Sequence, residues 1–180
     1  MPRRSLIPVE SLTTRPVHLF DKQWLLLTAG DLAAGEFNSM TVSWGSLGVI
    51  WHRPFAMVVV RPNRHTYGFM ERFDTFTLCA FPEAQRDALN LMGTRSGRDL
   101  DKVAATGLTP EAATAVPAPV YREAELAIEC RKIYLDDLDP ARFLDPKIMD
   151  EYPGRDFHRM YFGEILAASG GARFGGGAAG

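Results

Sequence analysis

Short apolar runs punctuated by Gly, Pro and Asp set the pattern of this chain. Six of them read as strands: residues 23–28 (QWLLLT), 39–44 (SMTVSW), 55–61 (FAMVVVR), 75–81 (TFTLCAF), 126–135 (LAIECRKIYL) and 160–167 (MYFGEILA). Each is rich in β-branched or aromatic residues, which suit a pleated surface. In 126–135, Leu126, Ile128 and Cys130 face one way and Glu129 and Arg131 the other, which predicts a half-buried antiparallel strand. Helical spacing is rarer. Phe69, Met70 and Phe73 share a face of 66–73, and Ala88, Leu89 and Met92 form a stripe on 82–92, which opens on Pro and Glu. Asp99 is placed to cap a short helix over 100–105, closed by Gly107. Residues 109–119 and 136–154 read as irregular crossings, the second with room for a helical turn at 146–152.

Strands and helices do not alternate, which disfavours a doubly wound α/β sheet. The pattern predicts a mainly β chain with inserted helices, arranged as an antiparallel barrel. One domain is expected over 1–168, then a flexible Gly-rich tail over 169–180, interrupted by Arg173 and Phe174.

Composition narrows the function classes. Hydrophobic residues are 46% and charged residues 23%, an ordinary globular balance, in 180 residues. A formal net charge of -2 gives no reason to invoke nucleic acid or an anionic membrane. No apolar run approaches a membrane span, and MPRRSLIPVE lacks the apolar core of a secretory signal, so a cytoplasmic location is expected. Cys79 and Cys130 lie far apart and form no CxxC; Cys79, within FTLCAF, reads as a buried core thiol. The histidines His18, His52, His65 and His158 have no metal-ligand spacing, so no metal is expected. GxGxxG, P-loop, HExxH and GxSxG motifs are all absent.

Three segments carry candidate chemistry. In 37–48 (FNSMTVSWGSLG), Asn38, Thr41 and Ser43 offer hydrogen bonds and Trp44 an apolar wall, while Gly45 and Gly48 permit close backbone approach. The same residues also suit a plain barrel strand with Ser and Thr on its solvent face. In 61–67 (RPNRHTY), Arg61 and Arg64 lie beside Thr66 at the start of a helix. That is an anion site suited to a phosphomonoester, or simply a Thr N-cap beside surface arginines. In 94–102 (TRSGRDLDK), Arg95, Arg98 or Lys102 could close over a ligand from the same or a neighbouring subunit.

Taken together, NSMTVSWG, the W-x-x-P of 51–54, RPNRHT, SGRDLDK and HRMYFGEI resemble the flavin reductase-like family, FMN-binding split-barrel proteins that include flavoredoxin; the match runs from about Pro16 to Ala167. The resemblance implies a six-stranded antiparallel Greek-key split β-barrel that forms a homodimer, with FMN near the subunit interface. By the same resemblance, Asn38, Met40, Thr41, Val42, Ser43 and Trp44 would line the isoalloxazine and ribityl chain. Arg61, Arg64 and Thr66 would hold the phosphate, Lys102 would add a cation, and His158 would border the ring. Phe174 could cover the flavin from the tail. The implied activity is that of an oxidoreductase moving hydride from NADH or NADPH to flavin N5, and electrons on to free flavin, a small redox protein or a metal complex. A flavoredoxin-type electron carrier and a non-redox split-barrel binding module remain as alternatives. No catalytic nucleophile is expected from the chain itself.

Overall fold

The computed structural model describes residues 4–176. Ten strands are formed: β1 (Ser5–Ile7), β2 (Leu25–Asp31), β3 (Glu36–Val42), β4 (Gly45–Ile50), β5 (Arg53–Val60), β6 (Thr75–Ala80), β7 (Pro110–Glu111), β8 (Val120–Tyr121), β9 (Leu126–Asp137) and β10 (Arg159–Gly170). Seven follow one antiparallel path, β3-β2-β6-β9-β10-β5-β4; β1 adds to β10, and β7 and β8 pair separately. The sheet curls around a single interior. Leu25, Leu27, Val42, Val58, Val60, Phe76, Leu78, Ile128 and Tyr161 all belong to one buried cluster.

The split-barrel class is as expected, but the strand count is not. The six anticipated strands are β2, β3, β5, β6, β9 and β10; β1 and β4 add two more to the sheet. β4 escapes the sequence pattern because GSLGVI is half glycine and serine or exposed, with no buried face to impose a period. It is nevertheless fixed in register, with Ile50 opposite Arg53. The W-x-x-P segment therefore opens on a two-residue hairpin turn, Trp51–His52, with Arg53 and Pro54 already in β5. Trp51 and His52 both have positive φ, 52° and 58°, which is type I′ geometry held by non-glycine residues.

β9 is buried on both faces over its first five residues, not half-buried. The reason lies in the crossing before it. Glu129, 2% exposed, accepts from the backbone N–H groups of Thr114 and Ala115 and from the Thr114 hydroxyl, so residues 114–115 are tied over the outer face. A second apolar cluster forms there from Leu26, Cys79, Phe81 and Ala127 against Leu89, Met92, Leu108 and Tyr121. Cys79 is a fully buried free thiol, as expected, and so is Cys130; burial pushes Cys79 up to about 12.

Among the described residues, four α-helical segments decorate the sheet: α1 (Pro16–His18), α2 (His65–Arg72), α3 (Arg86–Thr94) and α4 (Lys102–Thr106). α3 buries Leu89 and Met92, spaced to lie on one face. α4 is capped by Asp101, not Asp99: its Oδ1 accepts from the Ala104 N–H at 3.0 Å. Gly107 ends α4 with φ +68°, the left-handed turn expected of it.

The chain does not loosen at 169. Ser169 and Gly170 pair with both β1 and β9, and Phe174 is buried in the interior cluster beside Ile7. The Thr13 N–H donates to the Phe174 carbonyl at 2.9 Å. An aromatic side chain and free backbone groups at a sheet end outweigh glycine's flexibility here. Residues 177–180 of the expected tail lie outside the described residues.

Candidate functional site

β3 and β4 are the two ends of the sheet path, yet they are consecutive in sequence, joined only by Ser43 and Trp44. The barrel is therefore open along a seam at β3. An edge strand presents backbone N–H and C=O groups that no neighbouring strand uses. On the β3 side of this seam the site is built.

A cleft of about 320 Å³ runs along the end of β3. Met40, Thr41, Val42, Ser43 and Trp44 form one wall; Val59 and Arg61 from the end of β5, and His158 just before β10, form the other. Trp44 is 44% exposed and lies 5.1 Å, centroid to centroid, from the His158 ring. His158 is held well below the usual histidine range, at about 4, mainly by burial and then by the neighbouring Arg61 and Arg64 guanidiniums, with Asp156 opposing. The imidazole is neutral at pH 7.

Asn63, Arg64 and Met40 line both this cleft and a smaller niche of about 110 Å³. The niche is enclosed by the start of α2, the end of α3 and the loop 94–98. Arg64, Arg95, Arg98 and Lys102 all line it, with no Asp or Glu among the lining residues. α2 contributes its N-terminus, whose N-cap residue, Arg64, supplies no side-chain cap. Free N–H groups and the positive end of the helix dipole thus meet four cations.

Thr66 is not the N-cap that the sequence suggests. It sits inside the first turn, 1% exposed, and its Oγ1 accepts from Asn38 Nδ2 at 2.6 Å. Accepting there leaves the hydroxyl hydrogen free to donate into the niche. Asn38 itself lines neither the cleft nor the niche; it braces Thr66 from behind and borders an adjoining hollow of about 630 Å³, which shares Met92, Gly97, Arg98 and Lys102 with the niche and is also lined by Asp99 and Asp101. Gly97 lets the loop close: a Cβ there would overlap Asn38 Oδ1 and come within 3.0 Å of His65 Cδ2.

Lys102 is the unusual member. Its side chain is buried, 6% exposed, and its ammonium donates only to main-chain carbonyls, those of Ser39 on the free edge of β3 and of Met92. Burial, reinforced by the Arg64 charge, pulls it down from 10.5 to about 8. A buried ammonium whose acceptors are carbonyls and not a carboxylate suits a site shaped for a negative group.

Of the sequence-predicted residues, Thr41, Val42, Ser43, Trp44, Arg61 and His158 converge in the cleft, Thr66 and Lys102 in the niche, and Met40 and Arg64 in both. Arg61 departs from its expected role beside Thr66. Its guanidinium is 3.2 Å from Asp156 Oδ1, donates to the Glu151 carbonyl at 2.8 Å, and lies over the Tyr152 ring. Phe174 lines neither space, since it is spent on the interior cluster. Ser39 belongs to a buried hydroxyl chain, Thr28–Ser39–Tyr121, so the outer face of β3 is not simply a solvated Ser and Thr face. Asn63 and Tyr152 also contribute without a sequence signal of their own: Asn63 sits among the charged residues of RPNRHT, and Tyr152 in a segment with no clear period.

The sequence profile of the flavin reductase-like domain matches residues 17–173. The chain belongs to the flavin reductase-like domain family. Among solved structures, this flavin reductase-like chain is similar to an FMN-binding domain of a flavin reductase-like enzyme from Shewanella baltica OS155, at 17% identity and a TM-score of 0.68, covering 94% of this chain and 78% of that one. It is similar to the flavoredoxin of Desulfovibrio vulgaris (Miyazaki F), at 22% identity and a TM-score of 0.63, covering 88% and 71%. It is similar to the NADH:FAD oxidoreductase of Streptomyces globisporus C-1027, at 18% identity and a TM-score of 0.60, covering 81% and 74%. These likenesses show the shared split-barrel fold. No curated protein matches the chain.

The niche makes a pH prediction. With Lys102 lowered to about 8 in the folded chain and near 10.5 when unfolded, the unfolded chain binds more protons between those values. Stability from this group is therefore gained as pH rises through that window and lost as pH falls through about 8. Anion binding runs the other way, because it needs the ammonium. Inorganic phosphate, followed by calorimetry, should bind more weakly at pH 9 than at pH 7. Lys102→Met should weaken binding at pH 7 by about ten- to a hundredfold and should reduce the fall between pH 7 and pH 9.

Proposed function

We propose that this chain is an FMN-binding flavin reductase-like oxidoreductase. The observation that carries the reading is the union of two differently built spaces: a cleft with one half-exposed aromatic wall, and a niche with four basic side chains and no carboxylate. A cleft of about 320 Å³ is within the usual range for a small-molecule site. FMN has a flat ring at one end and a phosphate at the other, and the donor set fits both. The chemistry of the bound group would be hydride and electron transfer.

The chain's own residues bind and orient. Arg64, Thr66 and Lys102, with the N-terminus of α2, would hold the phosphate, and Arg95 and Arg98 would close the niche from the same chain. Asn38 would keep the Thr66 hydroxyl turned toward it. Met40 to Trp44 would carry the ring system along the free edge of β3, where backbone groups are available to its polar edge. Arg61, held by Asp156, would shape the cleft wall and raise its positive potential without itself meeting the phosphate. A nicotinamide donor, NADH or NADPH, is supported by the open cleft beside Trp44 and by family membership; the acceptor would be free flavin, a small redox protein or a metal complex.

A homodimer is supported by an exposed apolar outer face. Val49 and Trp51, at the tip of the β4–β5 hairpin, are 74% and 58% exposed. Trp51 lies edge-on to Tyr134 at 6.0 Å, and Tyr134 packs on Phe162 at 5.6 Å. Exposed aromatic and aliphatic side chains gathered at one hairpin suit cover by a second copy.

Two measurements test the reading. The purified protein supplied with FMN should retain a yellow chromophore that bleaches on anaerobic addition of NADH or NADPH; retained flavin that neither nucleotide bleaches would contradict the nicotinamide-dependent activity. Sedimentation should show a dimer that Trp51→Glu shifts toward monomer; a wild-type monomer at working concentration would contradict the second copy.

A further inference from the structure

The segment 138–157 lines neither space, but it holds His158, which lines the cleft. Its Tyr152 is 3% exposed, and the phenol oxygen lies 2.8 Å from His158 Nδ1. The Tyr152 ring is clamped. Phe143 stacks on it at 6.0 Å and 24°, Phe157 packs at 5.0 Å, and the Arg61 guanidinium carbon sits 5.1 Å from its centroid. The backbone is held too, with the Tyr152 N–H donating to the Met149 carbonyl at 2.9 Å. Neither partner in the Tyr152–His158 pair is free to reorient.

The hydrogen count then decides the tautomer. Tyr152 makes no other side-chain hydrogen bond among the described residues. If Nδ1 carried the proton, the phenol would accept it, and the buried phenol hydrogen would be left without a partner, a costly state. If the phenol donates, Nδ1 accepts and both groups are satisfied. The ring's proton must then be on Nε2, the nitrogen left for the cleft that His158 lines.

We propose that Tyr152 is the positioning residue that fixes His158 in the Nε2–H form, so that the imidazole meets a ligand in the cleft as a hydrogen-bond donor. The proposal rests on the flavin reading for the identity of that ligand. The partner it fits is an oxygen acceptor, either a carbonyl on the flavin ring or a carbonyl of the molecule stacked against it. The surrounding charges agree. Arg61 from the end of β5 and Arg64 before α2 oppose a second proton on the ring, and only Asp156 favours it. Burial raises the Tyr152 phenol above its ordinary value, so it keeps the hydrogen it donates. His158 thus supplies a directed N–H without carrying a charge.

The test uses the full chain with ¹⁵N-labelled histidine side chains and long-range ¹H–¹⁵N correlation at pH 7, before flavin is added. His158 signals are assigned by their loss in His158→Gln. The expected pattern is Nε2–H; an Nδ1–H or doubly protonated pattern would overturn the proposal. Tyr152→Phe keeps the aromatic clamp and removes only the hydroxyl. It should lower the ratio of Nε2–H to Nδ1–H by about three- to tenfold, the usual worth of one hydrogen bond. An unchanged ratio would remove Tyr152 from the role. FMN is then added, with its binding followed by absorbance in the same sample. A shifted Nε2–H proton supports the donor role, and an unshifted one with flavin bound overturns it. An Nε2–H ring in a sample that takes up no flavin would support the tautomer assignment while contradicting the flavin reading.

Discussion

A cation buried without a carboxylate is the constraint that organises this molecule's functional end. Among the described residues, the Lys102 ammonium has only the Ser39 and Met92 carbonyls for acceptors. Such an arrangement is expensive in an isolated fold, and burial accordingly lowers the group to about 8. It becomes favourable once a negative group enters the niche beside it. The loop geometry serves that end. Gly97 allows 94–98 to press against β3, Asp101 starts α4 where Lys102 must turn inward, and Gly107 ends it.

The cation depends in turn on an unclosed sheet. Had β3 been paired on both sides, the Ser39 carbonyl would belong to a ladder and could not receive the ammonium. The two-residue link Ser43–Trp44 instead sends the chain to the far end of the path, leaving the β3 edge free. One topological feature thereby supplies both the backbone groups of the cleft and the acceptor for Lys102. The second wall is assembled from distant sequence: Arg61 and Asp156, then Tyr152 and His158, each fixing the next by an ion pair, an aromatic contact or a hydrogen bond.

Much of this was legible in the chain. Val58, Val60, Leu78 and Ile128 announce the strands that form the interior, because a buried face imposes a period of two. The site segments were legible because hydroxyls, glycines and arginines cluster within short windows around Ser43, Arg64 and Lys102. What was hidden had non-local causes. Glu129 looked solvent-facing because nothing in its own strand records that residues 114–115 cross over it. Arg61 reads as an unpaired cation because Asp156, its partner, is 95 positions away. Thr66 looked like a cap because the residue that engages it, Asn38, lies on another strand. Phe174 is held by β1 and β10 against the local preference of its glycine neighbours.

The central claim is that the niche reads a phosphate while the cleft reads a ring. Riboflavin has the ring and lacks the phosphate, so the most direct measurement is a side-by-side equilibrium titration of the protein with FMN and with riboflavin at pH 7, read by flavin fluorescence. The account predicts that FMN binds at least about a hundredfold more tightly, since several charge-assisted hydrogen bonds are available only to the phosphate. Equal affinities would mean that the cationic niche is not where the ligand's phosphate sits, and would contradict the account.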